Sequence, residues 1–393
     1  MKEIRSLLLT FLNLFIARPG SGLIVVIGVA GLTGIITSLF AISAAFESAL
    51  ASTGQPDRAL LLRAGSTSEI NGNVSLNQYA IVRDMPGVKR SDATGLASRE
   101  TYVTANLRMN DSAKSATLPL RGVNTTAFDV RPEVRITSGA LFDPGKYELI
   151  AGVRAARTFA DLEVGQTIQI RGQSYLVRGH FTAGGSASET ELWMDERLLA
   201  HTLGRGETFS SILVRLQNAE AFDDFQDRLE ADRRLSLSAY RESDFYENLA
   251  GPTTDMIQVL GLVVGVIMSV GALAAGLNSM QAALEARSRE IATLRALGFG
   301  RFSLLIAVIA ECTILSCIGT GAALSGIFIL LDGQTLSTVA AATTSGTQVA
   351  FEFDLNEQAF FLAGSTALVM GVCGGLVPGL TAIRRSIPQA LRG

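Results

Sequence analysis

The residues of this chain that could do chemistry are few, and they stand apart from one another. Its two histidines, His180 and His201, have no cysteine near them and no HExxH spacing. His180 is expected at the end of a strand and His201 late in a helix, as solvated or capping residues rather than a zinc ligand or a base. The three cysteines, Cys312, Cys317 and Cys373, all fall inside apolar runs, so they offer no disulfide framework, CxxC pair or zinc site. Asp223-Asp224 reads as the wet face of a helix, and Gly184–Ser188 (GGSAS) as a loop without the GxSxG setting of a nucleophilic serine. No GxxxxGK[ST] loop is present to cradle a phosphate, so the chain has no such route to splitting ATP. The expected set of catalytic, cofactor-binding and metal-binding residues is therefore empty, and so is the enzyme class.

Two features remain in which charge sits where it costs most. The first is the cassette EARSREIATLRALGFG, Glu285 to Gly300, which carries Glu285, Arg287, Arg289, Glu290 and Arg295 between two long apolar runs. Spacing of three to four places Ile291, Leu294 and Leu297/Gly298 on one stripe of a short helix, which Gly298 and Gly300 would end. Such a helix either lies against lipid headgroups through its arginines or docks into a groove on a cytoplasmic partner. The second is Glu311, the single charge within the run from Phe302 to Leu331. A carboxylate inside a membrane is a functional candidate by default, but it also serves as a polar contact between helices.

The elements that must position these residues follow from composition. Of 393 residues, 48% are hydrophobic and only 18% charged, against about 25% charged in ordinary soluble domains. Crossing the hydrocarbon core takes roughly 20 apolar residues, and four runs meet that length: 19–46, 256–284, 302–331 and 358–383. The fold class is thus a membrane protein with four transmembrane α-helices and a large extracytoplasmic domain, 47–255, between the first and second spans. Pieces 1–18, 285–301 and 384–393 together hold ten Lys/Arg against three acids, whereas the loop 332–357 has four acids and no base. Basic residues in short loops stay inside, so both termini and the cassette are expected in the cytoplasm and the loop outside. Residues 1–18 read as an interfacial helix broken by Pro19-Gly20. A net charge of −3 with no basic tail argues against nucleic acid as a partner.

Within 47–255 the pattern changes to short alternating strands and amphipathic helices. ALLLRAG, GQTIQIRGQSYLVRGHF, SILVRLQ and RLSLSAY read as strands, with Arg171-Gly172-Gln173 as a hairpin turn. SLNQYAIVRDM, MDERLLAHTLG and NAEAFDDFQDRLEAD read as helices, the last burying Ala221, Phe222, Phe225 and Leu229. This is an α+β module, with Leu118–Arg205 a candidate insertion into a framework made by the flanking parts.

SREIATLRALGFG, followed at once by the span containing ECTILSCIG, resembles the signature of the MacB/FtsX-type (type VII) ABC transporter permeases, which include LolC and LolE. The closing VPGLTAIRRSIPQALRG is similar to the end of that family, where a Pro marks the last span and a basic tail follows, and the early NQYAIVRDMPGV to the segment that starts its periplasmic core domain. The resemblance implies a permease dimer in the bacterial inner membrane, joined to two ABC ATPase subunits that bind the ATP. It assigns Arg287, Arg289, Glu290, Ile291, Leu294, Arg295, Leu297 and Gly298 to a coupling helix, and Glu311 to an intramembrane polar contact. In MacB the ATPase is fused ahead of the permease; this chain begins at the interfacial helix, which implies a separate ATPase. The implied function is export by mechanotransmission, with an HlyD-type periplasmic adaptor and an outer-membrane channel. The alternatives are FtsX-like signalling to a cell-wall hydrolase and LolC/LolE-like lipoprotein release.

Overall fold

The structure, a computed structural model, describes residues 19–92, 94–110, 115–286, 293, 295, 300–331, 335–339, 348–353, 355 and 357–384. In chain order it runs through α1 (Pro19–Ala51), β1 (Arg58–Arg63), β2 (Val74–Ser75), α2 (Leu76–Arg83), β3 (Arg90–Ser91), β4 (Thr94–Gly95), β5 (Ala97–Arg108) and β6 (Ser115–Val123). It continues with α3 (Ala127–Val130), β7 (Arg135–Gly139), β8 (Glu148–Gly152), α4 (Val153–Thr158), β9 (Thr167–Ile170), β10 (Gln173–Thr182), a 3₁₀ turn Ala187–Thr190 and β11 (Leu192–Asp195). Then come α5 (Glu196–Thr202), β12 (Thr208–Phe209), β13 (Ser211–Arg215), α6 (Ala221–Ala231), β14 (Leu237–Arg241), α7 (Glu242–Ala286), α8 (Arg301–Leu331), β15 (Thr335–Val339), β16 (Gln348–Glu352) and α9 (Glu357–Arg384). The chain divides into a helical unit and an α+β unit, the latter comprising Ala44–Asp255 and Thr335–Glu352.

The α+β unit is built on one ten-stranded sheet in the order β14-β1-β13-β5-β6-β11-β8-β10-β7, with β9 paired to β10. Its local structure follows from short-range chemistry. Ser75 and Gln78 close a capping box at the start of α2, Gln78 N donating to Ser75 Oγ at 3.3 Å and Ser75 N to Gln78 Oε1 at 3.0 Å. Asp195 caps α5 by accepting from the Arg197 and Leu198 amides. Arg171 and Gly172, both at positive φ, make the two-residue turn of the β9–β10 hairpin. Phe222, Phe225 and Leu229 bury one face of α6, as their spacing predicts.

Two cores divide this sheet along its length, beside a third that joins Val123, Phe142, Ile150, Phe181 and Trp193. One joins Ala59, Leu61, Val82, Ile212, Val214, Phe225 and Leu229. The other joins Val103, Leu118, Leu149, Tyr175, Leu192 and Leu199. Strand β5 runs for twelve residues and serves both cores, Ala97 in the first and Val103 in the second.

In the helical unit, four helices are long and apolar enough to cross a membrane. The second, α7, begins at Glu242, well before the apolar run that opens at Met256, because helix continues through the polar stretch ESDFYENLAGPTTD. Glycines set the approach of helices within the chain. A Cβ at Gly371 would lie 2.5 Å from Thr313 Cα, and one at Gly375 2.7 Å from Ile309 Cα, so α8 and α9 touch backbone to backbone. Gly319 approaches the Val26 carbonyl of α1 in the same way. These small residues serve packing within the chain.

The segment 332–357, read from sequence as a loop, contains an antiparallel hairpin, β15 paired with β16. Strand β16 neighbours the Ala187–Thr190 turn, β6 and α4 of the α+β unit.

Candidate functional site: a buried charge cluster at the root of a long helix

Most of the predicted coupling residues, Arg287, Arg289, Glu290, Ile291, Leu294, Leu297 and Gly298, lie outside the described residues. Arg295 is described; it is helical and half-buried. Glu311 is buried on α8 beside Ala307, Val308, Cys312 and Leu315. His180 Nε2 lies 2.7 Å from the Leu162 carbonyl, and His201 is exposed near the end of α5. Among the described residues no group of three or more His, Cys, Asp or Glu is placed to hold a metal.

What sequence reasoning missed is a cluster of ionised side chains in the interior of the α+β unit. Arg121 points in from β6 and is 1% exposed. It donates from Nη1 to Glu69 at 3.0 Å and to Glu100 at 2.6 Å, and from Nε to Glu191 at 2.8 Å. Its guanidinium also stacks 4.5 Å from the centre of the Tyr102 ring. Glu100, on β5, is also held by a fork from Arg131, which follows α3. Arg131 also stands 3.6 Å from Glu242, the first residue of α7. Glu242 Oε2 accepts from the Gln55 amide at 3.1 Å and from Arg58 Nη1 at 3.3 Å; Arg58 in turn binds the half-exposed Glu133. Trp193 closes the far end, its indole N–H donating to Glu191 at 2.7 Å while Arg131 rests over its ring.

Ionised groups leave water only when each finds partners, and here the partnering is uneven. Burial works to raise the Glu100 carboxyl, but Arg131 and Arg121 outweigh it and hold the group down at about 2. Glu242 goes the other way. Burial lifts its carboxyl above the usual range, and Arg131 and Arg58 only partly offset this. The difference is geometric, since Oε1 of Glu242 makes no hydrogen bond. Glu242 is therefore the soft member of a rigid cluster. Apart from Glu133 the charged members are buried and bonded to one another, an arrangement that fits holding elements together.

The same region gathers the chain's connections to its long helices. Just past α1, Thr53 Oγ1 accepts from the Ala187 amide at 2.8 Å. Gly54 lies so close to the first turn of α7 that a Cβ there would meet Glu242 O and Ser243 Cα at 2.5 Å. The neighbouring Glu189 carboxylate accepts from Thr182 Oγ1 and from the Ala183 and Gly185 amides, fixing the turn that β16 adjoins.

Four membrane-length helices with a large α+β unit inserted between the first and second define a multi-pass membrane protein. Residues 22–232 match the MacB-like periplasmic core domain, and residues 262–387 match the FtsX-like permease C-terminal domain. The first match alone spans more than half of the chain, which belongs to the MacB/FtsX-type (type VII) family of ABC transporter permeases. Among solved structures, the periplasmic region of MacB from Actinobacillus actinomycetemcomitans is 13% identical with a TM-score of 0.37, covering 49% of this chain and 92% of that one. The extracellular domain of the noncanonic ABC-type transporter YknZ from Gram-positive bacteria is 15% identical with a TM-score of 0.35, covering 47% and 99%. A domain of a permease protein from Porphyromonas gingivalis is 18% identical with a TM-score of 0.27, covering 47% and 85%. No curated protein matches the chain at a significant level.

Proposed function

We propose that this chain is the membrane subunit of an exporter, which receives work from a separate ABC ATPase on the cytoplasmic face and delivers it to its α+β unit on the other side. The observation that carries the reading is α7, a single helix from Glu242 to Ala286 whose first residue is tied into the buried cluster of the α+β unit. A rod fixed at one end by ion pairs transmits displacement better than one ending in a loop. Membership of the permease family supports the ATPase as the source of that displacement. The coupling helix 285–301 is the proposed point of entry, with Arg287, Arg289, Glu290 and Arg295 facing the ATPase and Ile291, Leu294, Leu297 and Gly298 seating the helix in its groove. A homodimer, an HlyD-type adaptor and an outer-membrane channel complete the proposed assembly.

Arg295→Glu and Gly298→Pro test this reading in the reconstituted permease–ATPase complex. Both variants should insert into the membrane yet lose the coupling of ATP hydrolysis to transport. Unchanged coupling in both would remove the docking role. Capture of a cell-wall hydrolase by the α+β unit, in place of an adaptor, would favour signalling over export.

A further inference from the structure

Movement of α7 needs a path to the far part of the α+β unit, and the buried cluster supplies one. From Glu242 at the root of α7, ion pairs and hydrogen bonds run through Arg131, Glu100, Arg121 and Glu191 to Trp193. These residues cross the sheet from β5 through β6 to β11 and end in the core that joins Val123, Phe142, Ile150, Phe181 and Trp193. Every member is buried, so none of the links is shared with bulk water. Apolar contacts slide at little cost, whereas a forked guanidinium–carboxylate pair holds direction as well as distance. The weakest link is the first. Glu242 touches Arg131 at 3.6 Å, and its Oε1 has no hydrogen bond, so the register of α7 is held here by a contact that can tighten or release.

We propose that Glu242 is a positioning residue for coupling, the contact through which displacement of α7 is passed by way of Arg131 and Glu100 to the core around Trp193. The inference rests on the reading of the chain as an ATP-driven permease, and its test separates the two.

Trp193 is the only tryptophan of the chain and sits at the end of the relay, so a single 19F resonance reports on it. The full-length permease is labelled with 5-fluorotryptophan and reconstituted in lipid nanodiscs with its unlabelled ATPase. Spectra are recorded without nucleotide and after trapping with MgATP and vanadate. The wild-type resonance is expected to shift on trapping. Glu242→Gln keeps the size of the side chain and removes its charge; it should retain the resting resonance and ATP hydrolysis but lose the nucleotide-dependent shift. Glu242→Asp keeps the charge and should recover part of it. Should the resting resonance of Glu242→Gln move to the unfolded position, Arg131→Lys, which keeps charge but loses the fork, carries the same test. A full wild-type shift in whichever variant folds overturns the relay and leaves the permease reading standing. A wild-type complex in which the permease neither binds the ATPase nor alters its hydrolysis overturns the permease reading, and the relay with it.

Discussion

At the scale of single residues, the two cluster glutamates behave oppositely, and the sign of each effect follows from its environment. Glu100 is held at about 2, below its ordinary 4.5. Its contribution to stability is therefore complete above pH 4.5 and is lost as pH falls from 4.5 towards 2. Glu242 is raised by burial, so folding favours its neutral form; that contribution is present below pH 4.5 and fades as pH rises through its folded value. Glu100→Gln at pH 7 strips both arginines of their common partner and should cost about 3–5 kcal/mol, read from thermal unfolding of the α+β unit by Trp193 fluorescence. Glu242→Gln should cost distinctly less in the same measurement, because burial opposes its charge and one of its carboxylate oxygens makes no hydrogen bond. Equal losses would contradict the assignment of Glu242 as the soft member. None of this was visible in the sequence. The partners of Arg121 lie 21, 52 and 70 positions away, and isolated Arg and Glu in alternating strands read as solvent-facing. By contrast, the isolation of His180 and His201 was legible at once, since ligand sets need spacing that neither has.

At the scale of elements, short-range chemistry carried further. The helix that follows Ser75, the Arg171-Gly172 hairpin and the buried stripe of α6 were all readable, because each depends on residues within one or two turns of chain. The early start of α7 was not, because hydropathy marks where a helix is apolar rather than where it begins. Pro252 sits inside α7 and removes one backbone donor from it. Pro252→Ala should restore that hydrogen bond and relieve up to about 3 kcal/mol of local helix cost, seen as slower amide exchange around residue 252. If α7 must flex there to work, coupled transport falls while stability rises. The contact of α8 with α9 gives a sharper test. Gly371→Ala places a methyl 2.5 Å from Thr313 Cα, whereas a Cβ at Gly364 meets nothing within 4 Å. The first change should destabilise the helical unit by about 1–3 kcal/mol through overpacking, and Gly364→Ala should be near neutral, both measured by unfolding in detergent.

At the scale of the whole molecule, the proposal places the cassette and the α+β unit on opposite sides of a bilayer. In a variant lacking Cys312, Cys317 and Cys373, a thiol at Gln217→Cys should react with an impermeant maleimide in spheroplasts, while one at Ser288→Cys should react only after lysis. Labelling of both from the same side would end the proposed topology. The charge map is the ground for this arrangement, but it could not show that residues beyond the third span return to complete the α+β unit. Strands β15 and β16 belong to that unit although some eighty residues of other structure separate them in sequence from Asp255. Anyone excising a soluble fragment at residues 44 and 255 would thus leave out one of its own pieces and uncover the flank beside the Ala187–Thr190 turn. Grafting 335–352 back through a short linker should yield a fragment less prone to aggregate than the bare excision.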